Sequence, residues 1–278
     1  MSLACPGGVC APGNYYATDV FGTTATGQPL RINGALRFDG GAFGNFVFFG
    51  GMSLQGSNNS ATFGPGRYVF AGTTGTTVFS QDSNASVTDN TGRNLVGGVL
   101  QAPRDAGEMF IFTDDTYPGL QVPSAVQAIA SSLHFGTVDI QTGNHNVFTL
   151  HGLNPESNAV PQNLDTFEPT VLWQDQRNSL VKYTSDGNID TSCGSIDSPC
   201  TNSASTVNPE MHLQAHPNLQ LWGALYQPRG ASLTLQGNGN LDSPVQIITG
   251  ALNSQGGPNI VLQRNNAPLK RRIVALIE

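Results

Sequence analysis

Short runs of alternating apolar and polar residues, each closed by a glycine-rich turn, recur along this chain and limit its fold more than any other feature. In the run 30–38, Leu30 and Ile32 alternate with Arg31 and Asn33, which is the period-two pattern of a half-buried strand. An Asp-Gly-Gly turn follows directly. The pattern predicts strands joined by tight turns, because glycine permits backbone angles that other residues avoid.

The same pattern predicts strands over most of the chain and only one helix. Composition agrees, because 11% of residues are charged while 33 are glycine and 17 are proline, whereas a solvated helical protein carries more Glu, Lys and Arg. The predicted helix is Ser124–Leu133, whose apolar residues share one face. The predicted strands are Tyr15–Phe21, Leu30–Phe38, Phe46–Leu54, Arg67–Phe70, Thr76–Phe79, Leu95–Leu100, Leu219–Tyr226, Ser232–Leu235, Val245–Ile248, Ile260–Leu262 and Arg272–Ile277.

Weak sequence similarities between segments of the chain favour a solenoid. Pro12–Tyr16 resembles Pro65–Val69, and Leu30–Gly34 resembles Leu233–Gly237. Recurring strand-and-turn units that cannot bury a face alone must stack on one another. We therefore predict a single all-β domain over residues 1–278, folded as a right-handed parallel β-helix (β-solenoid) with long side loops and one short helix. A β-sandwich has similar strands and turns and is the alternative.

The charge balance excludes two classes of partner. The formal net charge is −7, and the chain has two lysines, Lys182 and Lys270. Nucleic acids and anionic membrane surfaces both require clustered Lys and Arg, so we expect neither as a partner. No apolar stretch is long enough to span a bilayer, and we expect no transmembrane segment in this chain.

Four cysteines form two close pairs, Cys5 with Cys10 and Cys193 with Cys200. In a chain with few charges, locally paired cysteines predict small disulfide loops formed in an oxidising compartment. A metal site is the alternative, although zinc pairs usually have two to four intervening residues and a matching second pair. The pairs predict an extracellular or cell-surface protein, with any signal or anchor outside this chain.

One segment has the residue spacing of a calcium loop. Asp186, Asn188 and Asp190 alternate, and Asp197 falls at the twelfth position. Hard oxygen ligands at alternate positions of a turning chain suit calcium. Position six is Thr191, where the EF-hand loop has glycine, and an ordinary Asx-rich turn is the other interpretation. Calcium is the only cofactor that the sequence indicates.

A polysaccharide-active enzyme of the pectinase type would need clustered acids beside a histidine. Asp114 and Asp115 form a carboxylate pair, His145 follows in sequence, and His151 lies six residues later. Paired carboxylates protonate a glycosidic oxygen or hold a water. The flanking signatures of such enzymes are missing, and paired Asp is common in turns. The sequence therefore favours a protein without a catalytic site and keeps the enzyme as an alternative.

The two tryptophans, Trp173 and Trp222, lie inside strand-like runs. On an outer face of a solenoid they would stack against sugar rings, whereas inside it they would be packing residues. Both are candidate ligand-binding residues of a passive carbohydrate-binding module.

Several short motifs share a pattern with one family of bacterial surface proteins. They are Ala11–Tyr16, similar to "PGxYY", Val171–Asn178, similar to "lFxQDR", Trp222–Gly230, similar to "GaiYxPxg", Leu233–Asn238, similar to "ltlsGn", and Arg272–Glu278, similar to "rvaLvE". The chain thus resembles the C-terminal β-solenoid regions of Flp/Tad pilus-assembly-associated (TadG-like) proteins. The likeness covers the first turn and the chain from about residue 165 onward.

This resemblance implies a role at the cell surface or in the envelope and carries over no catalytic residues. Together with the low charge and the paired cysteines, it predicts a non-catalytic structural or adhesive module of a bacterial cell-surface or pilus-associated protein. Its expected partners are components of the envelope or pilus, and polysaccharide. Because one fold hosts many functions, the polysaccharide enzyme and the passive carbohydrate-binding module stay as alternatives.

Overall fold

The computed structural model describes most of the chain, and the regular secondary structure of the described residues is almost all strand. The helical residues that it describes form two 3-10 segments, Pro6–Gly8 and Gln162–Phe167, so the all-β prediction is confirmed. The predicted helix Ser124–Leu133 and the predicted strand Arg272–Ile277 lie outside the described residues. Those residues are 5–18, 26–73, 77–91, 95–96, 99–100, 102–115, 135–143, 146–154, 156–167, 169–175, 178, 210–214, 218–227, 231–237, 240–243, 245–256 and 259–262.

The strands, numbered in chain order, form three parallel sheets and two isolated pairs. Sheet 1 contains β1 (Val9–Cys10), β4 (Ala35–Phe38), β7 (Ser60–Phe63), β10 (Ser86–Asp89), β15 (Phe148–His151) and the first half of β18 (Leu219–Tyr226). Sheet 2 contains β2 (Gly13–Tyr16), β5 (Gly44–Phe49), β8 (Gly66–Gly72), β13 (Glu108–Asp114), β16 (Thr170–Gln174), the second half of β18, and β21 (Val245–Ile248). Sheet 3 contains β3 (Leu30–Ile32), β6 (Met52–Leu54), β9 (Phe79–Gln81), β14 (Val138–Ile140), β17 (Glu210–Gln214), β19 (Ser232–Gln236) and β22 (Ala251–Gln255). The isolated pairs are β11 (Leu95–Val96) with β12 (Val99–Leu100), and β20 (Asn240–Ser243) with β23 (Asn259–Leu262).

The chain visits the three sheets in a fixed rotation, so each strand pairs in parallel with the strand one circuit earlier. Phe46 of β5, for example, lies beside Tyr68 of β8, which lies beside Phe110 of β13. Sheets 1 and 2 join through β18 into one curled 12-stranded sheet. The result is a parallel, solenoid-like fold. The β-sandwich alternative is wrong, because sandwich sheets are antiparallel, and among the described residues only the hairpin β11–β12 is antiparallel.

Three runs that were predicted as single strands are broken in the structure. The run 30–38 turns at Gly34 from sheet 3 into sheet 1, and the run 46–54 turns at Gly50 and Gly51 from sheet 2 into sheet 3. The φ angles of these glycines are +87°, +84° and +85°, a region that L-residues avoid. The predicted strand 95–100 instead folds back on itself as the hairpin.

The interior between the sheets is a continuous stack of side chains in register. The rings of Phe48, Phe70 and Phe112 lie above one another, with centroid separations of 5.1 and 5.6 Å. The next position in this row is Gln174, whose Oε1 accepts a hydrogen bond from Gln227 Nε2 at 2.8 Å. A buried amide pair therefore replaces the aromatic stack at this position of the row. Each circuit packs directly on the next.

A second apolar cluster lies on the outer face of sheet 2. Val47, Val69 and Ile111 occupy one row of that face. The segment between β15 and β16 places Leu164 against this row. Burial of these side chains fixes the segment to the sheet, because removing apolar surface from water is favourable.

Candidate functional site

The acidic residues considered for catalysis lie where the strands of sheet 2 end. β13 and β16 are neighbouring parallel strands, so their carboxyl ends meet at one edge. Asp114 and Asp115 close the first strand, and Asp175 follows the second. Thr113 Oγ1 donates a hydrogen bond to Asp175 Oδ2 at 2.6 Å. The structure thus places a third carboxylate near the predicted pair, at the level of Thr113 rather than of Asp114 or Asp115.

These carboxylates are buried. Asp114, Asp115 and Asp175 are 0%, 4% and 4% exposed. From the same edge the chain leaves for β14 through residues 116–134 and for β17 through residues 176–209, which lie outside the described residues apart from Asn178. A general acid must reach the oxygen that it protonates. Carboxylates with so little exposed surface are not accessible to a polysaccharide chain.

The described histidines lie elsewhere. His145 is outside the described residues, and His151 sits near Glu108 at the opposite end of β13 from Asp114. At about 3.3 Å per residue, the length of that strand separates the two ends by roughly 20 Å. Within the described residues, Asp114 and Asp115 therefore have no histidine beside them.

Three ionisable side chains that the sequence analysis did not single out meet in the interior between sheets 1 and 2. Asp89 ends β10, Glu108 begins β13, and His151 ends β15. His151 Nδ1 contacts Asp89 Oδ2, and the His151 backbone N–H donates to Glu108 Oε2 at 3.4 Å. All three residues are buried, with exposed fractions of 3%, 0% and 0%. We call Asp89, Glu108 and His151 the buried triad.

Burial changes the proton affinity of Glu108 in the buried triad. Loss of hydration raises the pKa of Glu108 well above its ordinary value, and the negative charges of Asp89 and Asp105 raise it further. The His151 backbone N–H acts in the opposite direction, and a hydrogen bond between the Glu108 and Asp89 carboxyl groups adds to the increase. A raised pKa favours the protonated, uncharged form of Glu108 in the folded protein.

The buried triad acts within the fold, since no substrate reaches side chains that are fully enclosed. Burying charges is costly unless they are paired and hydrogen-bonded. The contacts among Asp89, Glu108 and His151 meet that need in part, since Glu108 Oε1 and His151 Nε2 are buried without a hydrogen-bond partner among the described residues. They tie two strands of sheet 1 to one of sheet 2. A sequence signal existed for Glu108 and His151, because each adjoins an apolar strand in a chain with few charges.

A second histidine–aspartate pair lies on the outer face of sheet 3. His212 of β17 is in register with Asp139 of β14, and His212 Nδ1 lies 2.8 Å from Asp139 Oδ1. Gln141 Nε2 donates to Asp139 Oδ2 at 2.8 Å. Both members of the pair are partly exposed, where such contacts contribute less than about 1 kcal/mol.

The two tryptophans occupy different environments. Trp173 lies on the outer face of sheet 2 and is partly exposed. Its ring stacks on that of Tyr226 of the next circuit, with a centroid separation of 6.3 Å and an interplanar angle of 14°. Phe167 approaches it edge-on at 6.0 Å. Trp222 is 5% exposed within β18. Of the two candidate ligand-binding residues, only Trp173 keeps part of its ring at the surface.

The remaining predicted sites divide into one that is seen and two that lie outside the described residues. The sulfurs of Cys5 and Cys10 are within disulfide-bonding distance, as predicted for this pair. Cys193 and Cys200, and the calcium residues Asp186, Asn188, Asp190 and Asp197, lie outside the described residues. Among the residues that the structure does describe, no group of three or more His, Cys, Asp or Glu side chains has a metal-binding arrangement.

Comparisons with protein-family models, with curated proteins and with solved structures find no match. The resemblance to TadG-like proteins therefore stays a prediction that rests on the sequence motifs. The described part of the chain contains no helix long and apolar enough to cross a membrane.

Proposed function

We propose that this chain is a non-catalytic structural and adhesive module of a bacterial cell-surface or pilus-associated protein, built on a right-handed parallel β-helix. The fixed rotation among three parallel sheets supports the helix. Its hand follows from the rule that about 98% of parallel crossover connections are right-handed. The bacterial surface setting rests on the TadG-like motifs, the low charge and the Cys5–Cys10 pair.

The positions from which the two longest connections leave the sheets support a scaffold role. They leave from neighbouring strands, β13 and β16, at one edge of sheet 2. The strands from which they leave enclose a continuous stack of apolar side chains. Binding residues are often on loops held by a rigid support. Residues 116–134 and 176–209 are therefore the segments that the scaffold would present to envelope components.

Polysaccharide is the partner that the described surface favours. The Trp173 and Tyr226 rings form a stacked aromatic pair on an outer face, and aromatic faces pack well against the apolar faces of sugar rings. The net charge of −7 repels polyanions, so the expected target is a neutral polysaccharide rather than an acidic one.

Gel retardation by polysaccharides tests the adhesive role. We expect hydroxyethyl cellulose or xylan in a native gel to retard the protein, and polygalacturonate to have little effect. Trp173→Ala should weaken retardation about tenfold, equivalent to about 1.4 kcal/mol. Val96→Ala, which shortens an exposed apolar side chain on the hairpin, is the matched control and should bind normally. Failure of every polysaccharide to retard the wild type would contradict the adhesive part of the proposal.

The polysaccharide enzyme remains the second candidate because Asp114, Asp115 and Asp175 share one edge of sheet 2. A depolymerisation screen on pectin, polygalacturonate and neutral glycans, with and without calcium, separates the two functions. We expect no turnover by the wild type or by the double variant Asp114→Asn, Asp115→Asn. Turnover by the wild type that disappears in the double variant would establish the enzyme and overturn the non-catalytic assignment.

A further inference from the structure

The two ends of the solenoid-like stack differ in how well their interiors are covered. One inward-facing row of sheet 3 runs through every circuit, and its first member, Leu30, is 1% exposed while its last member, Leu252, is 50% exposed. The members between them are at most 1% exposed. This row consists of Leu30, Met52, Phe79, Val138, Met211, Leu233 and Leu252. Only the β22 end of the row is open to solvent.

The strand at the open end is also unpaired along one side. In the described part of the chain, β22 pairs with β19 alone and is the last strand of sheet 3. Residues Leu252–Gln255 are exposed. An unpaired strand presents a row of backbone N–H and C=O groups that can accept a further strand.

The usual protections of an edge strand are missing here. Natural edges carry Lys, Pro or inward-pointing charges that prevent pairing with another chain. Residues 245–255, which span β21 and β22, contain no charged residue and no proline. The edge thus combines free hydrogen-bonding groups with an exposed leucine and no electrostatic barrier.

At the opposite end the inward-facing side chains are covered, although β3, like β22, pairs with one described strand. Cys10 is 0%, Tyr15 is 9% and Leu30 is 1% exposed. Cys10 also joins Cys5 in a disulfide, which ties the chain down beside β1. The β3 edge carries the exposed Arg31, a charge of the kind that prevents strand addition, so it does not complement the uncharged β22 end as a head-to-tail filament requires. The two ends instead fit a closed pair in which two identical β22 ends meet about a two-fold axis.

We propose that the β22 edge is a dimer interface at which a second copy of this chain adds its own β22. A two-fold axis makes the two strands antiparallel, so their free backbone groups hydrogen-bond to one another. The contact covers Leu252 of both copies and extends sheet 3 across the interface. This proposal is independent of the adhesive and enzymatic assignments, since it rests on the edge alone.

Light scattering coupled to size exclusion tests the dimer directly. We expect the wild type to reach twice the chain mass of 29.2 kDa as concentration rises. Leu252→Lys should raise the dimer dissociation constant at least about a hundredfold, because the two-fold axis places both lysines in the interface. Val96→Lys is the matched control, because Val96 is 66% exposed on the hairpin and lies outside β22. It should leave the dimer unchanged.

Amide hydrogen exchange locates the interface. Backbone amides of β22 should be protected in the dimer and exchange freely in the Leu252→Lys variant. A wild type that stays monomeric, or a dimer that Val96→Lys weakens as much as Leu252→Lys does, would overturn the proposal. Protection of the β22 amides in a monomeric wild type would also overturn it, since the chain itself would then cover the edge.

Discussion

Gly51→Ala is expected to destabilise the protein by roughly 4 kcal/mol or more, within the range that marks a severe structural defect. A Cβ atom at this position would lie 2.0 Å from the carbonyl oxygen of Val78 and 2.6 Å from its carbonyl carbon. These are backbone atoms of the next circuit, and Met52 N–H donates to that same oxygen at 3.0 Å. Relief of the clash must separate two circuits, and this breaks the hydrogen bond and opens the packed interior.

Gly34→Ala is the matched control for this prediction. Gly34 has a φ of +87°, close to the +85° of Gly51, but a Cβ at Gly34 meets no atom within 4 Å. Its substitution should cost only the backbone penalty of a left-handed residue, about 1–2 kcal/mol. Urea unfolding of both variants measures the difference. Equal losses of unfolding free energy would show that the close approach of circuits at Gly51 is not what requires glycine there.

Gly34 and Gly51 also mark positions where the fold could not be predicted from the sequence. The apolar–polar alternation located strands well, and Leu219–Tyr226 and Val245–Ile248 have the predicted bounds. The alternation continues through Gly34, and the unbroken apolar run 46–49 leads through Gly50 and Gly51 to Met52, so both runs were predicted as single strands. A corner of the solenoid turns the chain into another sheet, and only contact with the neighbouring circuit fixes that turn. Strict alternation cannot encode such a contact.

Short polar strands were missed for a related reason. Ser60–Phe63 and Ser86–Asp89 are only four residues long and contain few large apolar side chains, so they did not stand out as strands in the sequence. In the structure they pair in parallel with each other, residue by residue. The Thr62 and Thr88 hydroxyls lie 3.2 Å apart across that pair. Stacking of successive circuits therefore overrides weak local preference, as expected where a strand is stabilised by its neighbours.

The candidate sites were predictable only where the residues are adjacent in sequence. Asp114 and Asp115 were found because they are consecutive, and Asp175 was not, because its place beside them depends on the pairing of β13 with β16. The buried triad joins residues 62 and 43 positions apart. No local pattern reports that Asp89, Glu108 and His151 meet, since the fold alone determines which strand ends face one another.

Glu108 makes stability depend on pH in a direction opposite to that of a carboxylate whose pKa is lowered on folding. The pKa of Glu108 is raised by burial first and then by Asp89 and Asp105, so the folded state holds a proton that the unfolded chain releases above about pH 4.3. The contribution of Glu108 is fully present below that pH. It is lost as the pH rises towards the raised pKa, at up to about 1.4 kcal/mol per pH unit.

Glu108→Gln should remove this loss. The amide has nearly the shape of a protonated carboxyl group and still offers a donor to Asp89, but it takes up no proton on folding. The unfolding free energy of the variant relative to wild type should therefore increase from about pH 5 up to the raised pKa of Glu108, by up to about 1.4 kcal/mol per pH unit. Urea unfolding at several pH values gives the unfolding free energy of both proteins as a function of pH, and the difference between the two curves cancels the other titrating groups.

Glu156→Gln, at an exposed glutamate, is the control and should leave the pH dependence of the wild-type unfolding free energy unchanged. If the Glu108→Gln curve runs parallel to that of the wild type, Glu108 is not the group that carries the proton.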